Sequence, residues 1–164
     1  MNSQIYSYIS YKDKFYAIQV YGYSSRSLPG LEIIGPHGQI KNLKNKIIYF
    51  CRKNNLKIPP RRYVIGYEDF NLGKKLAIAE NKSLELPTLL LFLNLCGILG
   101  LAKIENCFNA GTFSIDGKLI SDQQYLNKML EFIRDEDLIY VGDTSSCTGK
   151  NISLKKLSVS LLFR

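Results

Sequence analysis

The sequence predicts a single α+β or α/β domain, residues 1–164, built on one sheet. Three observations carry this: strand-like runs crowd the first 35 residues, two later segments show helical apolar spacing, and strands and helices alternate from there on. With 46% hydrophobic and 22% charged residues, the chain has enough apolar material for one core and too little charge for wholesale disorder. It has no Trp but 11 Tyr and 8 Phe, so aromatic rings supply much of the bulk.

Ile5 to Ser10 and Lys14 to Tyr23 read as a β-hairpin turned by Tyr11-Lys12-Asp13, with Tyr16, Ile18 and Val20 on one face of the second strand. Six of the tyrosines precede residue 24. A tyrosine-bearing sheet face can stack nucleic-acid bases, but tyrosine is also an ordinary strand filler. Ser24 to Gly30 is a loop and Leu31 to Gly35 a short strand. A helix follows from about Gln39 to Asn54, with Ile40, Leu43, Ile47, Phe50 and Cys51 as its apolar stripe. Pro59 and Pro60 end that unit, and Arg61 to Gly66 is a strand. Glu68 to Asn81 is polar and reads as a loop.

Leu86 to Ala102 is the most apolar stretch, seventeen residues interrupted by Pro87, Thr88 and Asn94. It sits at the lower limit of about 17–25 residues for a bilayer span and has no basic flank, so the expectation is a buried helix beginning near Glu85. Asn109 to Leu119 reads as a hairpin turned at Asp116-Gly117, and Gln123 to Arg134 as an amphipathic helix. Leu138 to Val141 is a strand, Gly142 to Asn151 a loop, and Leu154 to Phe163 a final helix or strand.

The chemistry-bearing residues exclude more than they establish. Cys51, Cys96, Cys107 and Cys147 are never closer than eleven residues, which excludes a CxxC pair and fits a reducing cytoplasm. His37 is the only histidine, so a His-rich metal site and most Ser-His or Cys-His catalysis are excluded. No metal or cofactor is expected. The segment Gly142 to Lys150 fails the Walker pattern, with six residues between its glycines and Asn151 after the lysine. Asp135-Glu136-Asp137 lies between a helix and a strand, where acidic turn residues are common. The first residues show no basic segment followed by an apolar run, which predicts no signal peptide.

Charge is the positive signal. Lys plus Arg is 22 and Asp plus Glu is 14, a net charge of +8. Between Lys41 and Arg62 lie eight basic residues and no acidic one: Lys41, Lys44, Lys46, Arg52, Lys53, Lys57, Arg61 and Arg62. This run is either an anion-facing surface or a solvated helix face that keeps the chain soluble.

Four ordered motifs resemble a known family. Leu28-Pro29 leads to Ile33-Ile34-Gly35. Ile58-Pro59-Pro60-Arg61-Arg62 opens the next strand, Leu84-Glu85-Leu86-Pro87 starts a helix, and Gly111 to Leu119 (GTFSIDGKL) forms a hairpin. In this order, over about residues 4 to 141, they resemble the N-terminal domain of the magnesium-chelatase-like ComM competence proteins. The resemblance implies a Lon-protease-like domain with the ribosomal protein S5 domain 2-like fold, one mixed sheet with helices mainly on one face. In that family the domain precedes an AAA+ motor acting on branched DNA. Here no Walker motif follows, the link over Phe70 to Ala79 is stretched, and the tail after Val141 is brief.

Lon-type peptidases use a Ser-Lys dyad, and the resemblance places Ser83 near the nucleophile position. The lysine position falls on Leu126, and Lys128 lies two residues on, about 200° around a helix. Ser83 is therefore expected to lack a base and to serve as the N-cap of the apolar helix. The expectation is a cytoplasmic, non-catalytic binding or assembly module of a ComM-type system. Lys41, Lys44, Arg52, Lys53, Arg61 and Arg62 would contact DNA or another polyanion, and a separate AAA+ ATPase or a second copy of the chain are further candidate partners. A Ser-Lys peptidase using Ser83 and a pure interaction scaffold are the alternatives.

Overall fold

The computed structural model describes residues 1–35, 40–68, 81–99, 104–124, 126–142 and 151–152; for Tyr11, Ile40, Lys41, Asn81, Leu126, Asn151 and Ile152 it describes the backbone alone. His37, the Gly142 to Lys150 segment beyond its first residue, Cys147, the Leu154 to Phe163 element and the loop at 69–80 lie outside the described residues.

The N-terminal hairpin pairs β1 (Asn2–Tyr11) with β2 (Lys14–Ser25) in an unbroken antiparallel register from Asn2↔Tyr23 to Tyr11↔Lys14. Lys12 and Asp13 both take positive φ, 48° and 59°. Two left-handed residues between paired strands make the primed turn whose twist matches the strands it joins. β3 (Gly30–Ile34) runs parallel to β4 (Arg62–Tyr67), connected through α1 (Ile40–Lys53), and β4 pairs antiparallel with β2. α2 (Glu85–Leu95) follows a 3₁₀ turn at Asn81–Leu84.

The second half of the chain adds five short strands among the described residues. β5 (Cys107–Phe108) pairs parallel with β1 after a 3₁₀ turn at Ile104–Asn106. β6 (Gly111–Phe113) and β7 (Leu119–Ser121) form a separate hairpin, with Gly117 at φ +98° in its turn. α3 (Leu126–Asp135) leads to β8 (Ile139–Val141), which lies beside β5, and β9 (Asn151–Ile152) lies beside β8. The result is one mixed sheet in the order β3-β4-β2-β1-β5-β8-β9, with the two-stranded β6-β7 apart from it.

The pleat assigns the helices to faces. Ile5 and Ile9 of β1 stand beside Val20 and Tyr16 of β2, and with Ile65 of β4 they join the large core made with Leu43, Ile47 and Phe50 of α1 and with all the apolar side chains of α2. The alternate residues, Tyr6 and Tyr8 of β1, Phe108 of β5 and Tyr140 of β8, meet Met129 and Ile133 of α3 in a second core. α1 and α2 therefore cover one face, while α3 covers the opposite face over β1, β5 and β8. Two of the three described helices share one face and the third lies on the other.

α2 is buried from Leu86 through Leu95, so a helix apolar on all sides is here a core helix. Its polar interruptions face the sheet. Thr88 donates to the Leu84 carbonyl (2.6 Å) and shares a hydrogen bond with the Tyr67 hydroxyl (2.8 Å), while Asn94 reaches Ser3 at 3.5 Å. Gly22 of β2 lies beneath α2, where a Cβ would meet the Val64 carbonyl at 2.8 Å and Leu95 at 3.1 Å.

The helix ends at Leu95, seven residues short of the expected Ala102, and the cause is Gly97. With φ +72°, Gly97 donates to Asn94 O (2.9 Å) and Ile98 to Leu93 O (3.0 Å), the Schellman pattern. α1 closes in the same way, with Asn55 (φ 53°) donating to Arg52 O and Leu56 to Cys51 O. So does α3, with Asp137 (φ 51°) donating to Arg134 O and Leu138 to Ile133 O. Among the described residues no helix is long and apolar enough to cross a membrane.

Leu90 is wholly buried on α2. Leu90→Ala is expected to lower unfolding stability by about 2–5 kcal/mol, because the surrounding sheet and helix can collapse only partly onto the cavity. Urea titration followed by circular dichroism checks this; a loss below about 1 kcal/mol would contradict the all-round burial of α2.

Candidate anion-binding surface

The amphipathic pattern of α1 holds in detail: Leu43, Ile47, Phe50 and Cys51 are buried, so the lysines and arginines between them are pushed toward the rim and solvent. Three of the eight cations are then drawn into pairs with acids far away in sequence. Lys46 lies 2.5 Å from Glu85 at the start of α2, with its ammonium 4.6 Å from the centre of the Phe113 ring. Lys53 pairs with Asp116 in the β6–β7 turn (2.6 Å), and Arg62 with Glu32 on the neighbouring strand (2.8 Å). The acid beside each holds the Lys53 ammonium and the Arg62 guanidinium above their ordinary pKa values, through the hydrogen bond first and the charge second.

Lys44, Arg52, Lys57 and Arg61 have no acidic partner among the described residues. Arg52 stands in the last turn of α1, where a cation also complements the carbonyl end of the helix. Arg61 precedes β4, and its carbonyl accepts from Gly30 N–H (3.1 Å), which ties it to the start of β3. Both arginines line one open pocket of about 490 Å³ between β3, the C-terminal half of α1 and the Leu56–Arg61 segment. Of the six cations expected to form a polyanion surface, Lys44, Arg52 and Arg61 are thus available, Lys53 and Arg62 are engaged, and the Lys41 side chain lies outside the described residues. Sequence reasoning passed over Lys57 as a site residue, although it belongs to the same acid-free run.

Two exposed tyrosines of β2 form a different surface. Tyr21 and Tyr23, 46% and 43% exposed, stand on the sheet face opposite α1, with the Tyr21 ring over Gly66. Tyr8 is buried, and its hydroxyl donates to Asp122 (2.5 Å). Tyr49, 52% exposed on α1 between Lys46 and Arg52, is the exposed ring that lies among the helix cations.

Ser83 does not cap α2 as expected. The cap residue is Leu84, with no side-chain cap hydrogen bond, and the Ser83 hydroxyl donates instead to the Tyr8 carbonyl of β1 (2.9 Å). The reason lies in the sheet. On the β5 side of β1, the Tyr6 carbonyl accepts from Asn109 N–H (3.0 Å); β5 ends there, and Ser83 serves the next carbonyl along. Its proton points to a backbone oxygen, not to an amine, and Lys128 is exposed on α3 across the sheet. Asp135 and Glu136 are exposed, and Asp137 supplies the left-handed residue that ends α3. No group of three or more His, Cys, Asp or Glu suited to a metal exists among the described residues.

Comparison with models of known families gives no match for this chain, and comparison with curated proteins gives none either.

Cys51, Cys96 and Cys107 are buried. Burial pushes their thiols from 9.0 up to about 12, 12 and 11, and the Tyr67 hydroxyl from 10.0 up to about 12. Between about pH 9 and 12 the unfolded chain therefore loses protons that the native state keeps, so stability falls as pH rises. Thermal melts are expected to be level in this respect up to about pH 9 and to drop steadily above it; a melting temperature unchanged to pH 11 would refute the burial of these groups. Ser83→Ala is expected to cost about 1 kcal/mol in a denaturant titration, the worth of one partly buried hydrogen bond.

Proposed function

We propose that the chain is a binding or assembly module that holds a polyanion by its phosphates, with DNA the candidate ligand, in a ComM-type DNA-handling system of the cytoplasm. The observation that carries this reading is the sorting of the basic run. Three cations are neutralised by Glu85, Asp116 and Glu32, while Lys44, Arg52, Lys57 and Arg61 keep their charge unopposed among the described residues. An unopposed cation releases counterions from a phosphate backbone without first having to break an ion pair.

The ComM-like, S5 domain 2-like expectation finds support in the succession β1-β2-β3-α1-β4-α2, with the parallel β3–α1–β4 connection and both helices on one face. The buried thiols of Cys51, Cys96 and Cys107 suit a reducing compartment. A separate AAA+ ATPase as assembly partner belongs to the same reading.

Fluorescence anisotropy with single- and double-stranded DNA at two salt concentrations tests the proposal. Binding is expected to weaken steeply with salt and to show little sequence preference. Arg52→Ala and Arg61→Ala should each lower the duplex salt slope by about 0.9 for every phosphate the variant no longer neutralises. Lys53→Ala and Arg62→Ala should act less, since each cation is already held by an acid and would have to break that pair to meet a phosphate. Absence of binding at low salt refutes the proposal.

A further inference from the structure

The pocket that Arg52 and Arg61 line is not shaped for a bare phosphate. Its floor is Leu31, Cys51, Tyr63 and Phe92, all less than a tenth exposed, and Ile48 and Ile58 stand in its walls. The Tyr63 hydroxyl is committed to the Pro59 carbonyl (3.0 Å), and its ring meets Phe92 edge-on at 5.2 Å. Cys51, a neutral thiol at physiological pH, adds no charge. A volume of about 490 Å³ falls within the range of about 300–1,000 Å³ typical of small-molecule sites. Water held against this floor finds few polar partners, so an apolar body gains by displacing it.

Two arginines without an acidic partner among the described residues also line this pocket, one from the last turn of α1 and one from the residue before β4. A guanidinium presents a planar fork of donors that suits carboxylate and phosphate oxygens. We propose that this pocket binds an amphipathic anion of low molecular mass, with a carboxylate or phosphate head held by Arg52 and Arg61 and an aliphatic or aromatic body lying against Leu31, Ile58 and Phe92. The inference shares two arginines with the polyanion reading but does not rest on it. A ligand seated here takes both guanidiniums away from DNA.

Calorimetric titration of the full chain with decanoate, decyl phosphate, decanol and inorganic phosphate tests it, with methyl NMR shifts of Leu31, Ile48 and Ile58 reporting the place of binding. Decanoate or decyl phosphate is expected to bind at least about tenfold tighter than decanol and than inorganic phosphate, the worth of one charge-assisted hydrogen bond. The stronger of the two identifies the head group. The Arg52→Ala, Arg61→Ala double variant should erase the preference for the charged ligands while leaving decanol binding intact. Ile58→Trp should fill the pocket and abolish binding of all three alkyl ligands while DNA binding persists; if that variant fails to fold, the methyl shifts of the unaltered chain decide. Decanol binding as tightly as the stronger of decanoate and decyl phosphate, methyl shifts elsewhere than the pocket, or charged-ligand preference surviving the double variant would overturn the inference. DNA binding with neither decanoate nor decyl phosphate bound overturns this inference alone; binding of either without DNA binding overturns only the polyanion reading.

Discussion

Keeping the ten residues Leu86–Leu95 away from water is the constraint on which the architecture depends. A helix with no polar side has to be enclosed, and each neighbour contributes one wall. The β1, β2 and β4 strands lie beneath it and the β6–β7 hairpin beside it, with α1 joined to its start by Lys46–Glu85. Gly22 lets the sheet approach closely, and Thr88 and Asn94 satisfy their polar groups within the packing. Seven buried Leu and Phe side chains at about 1.5–3 kcal/mol each make this the largest apolar burial by any one described element, before chain entropy is set against it.

That enclosure also shapes the charged surface. Glu85 begins the buried helix and Asp116 turns the hairpin beside it, so the acids that neutralise Lys46 and Lys53 are delivered by the elements that wall in α2. Glu32 reaches Arg62 because β3 and β4 are parallel neighbours in register. The cations left unopposed, Arg52, Lys57 and Arg61 among them, lie in the last turn of α1 and the segment after it, where the hairpin's Asp116 meets Lys53 alone. Available charge is a product of the tertiary fold, not of the basic run as such.

Much of this was legible from local pattern. The hairpin at Lys12-Asp13, the stripe of α1 and the strand after Pro60 follow from periodicity and turn chemistry, which act over a few residues. Gly97 was visible too, and its power to end α2 comes from the left-handed conformation that glycine adopts freely. What could not be read were features set by distant partners. The two-residue strands β5 and β9 exist only because a neighbour pairs with them. The side of the sheet chosen by α3 depends on which of two apolar faces it meets. Ser83 was expected to cap a helix because serine often does; it serves the sheet instead, where a short strand leaves a carbonyl to be matched. The pocket joins residues from β3, α1, β4 and α2, and no single segment announces it.

The order in which the ribosome delivers these pieces follows from the same layout. The β1–β2 hairpin closes locally and is complete at Ser25, but the helix that covers its apolar face begins at Glu85, 85 − 25 = 60 residues later. At about 5–20 residues per second, that face waits several seconds during synthesis. The nascent chain thus spends that interval with Ile5, Ile18 and Val20 unshielded, a natural moment for a chaperone to hold it.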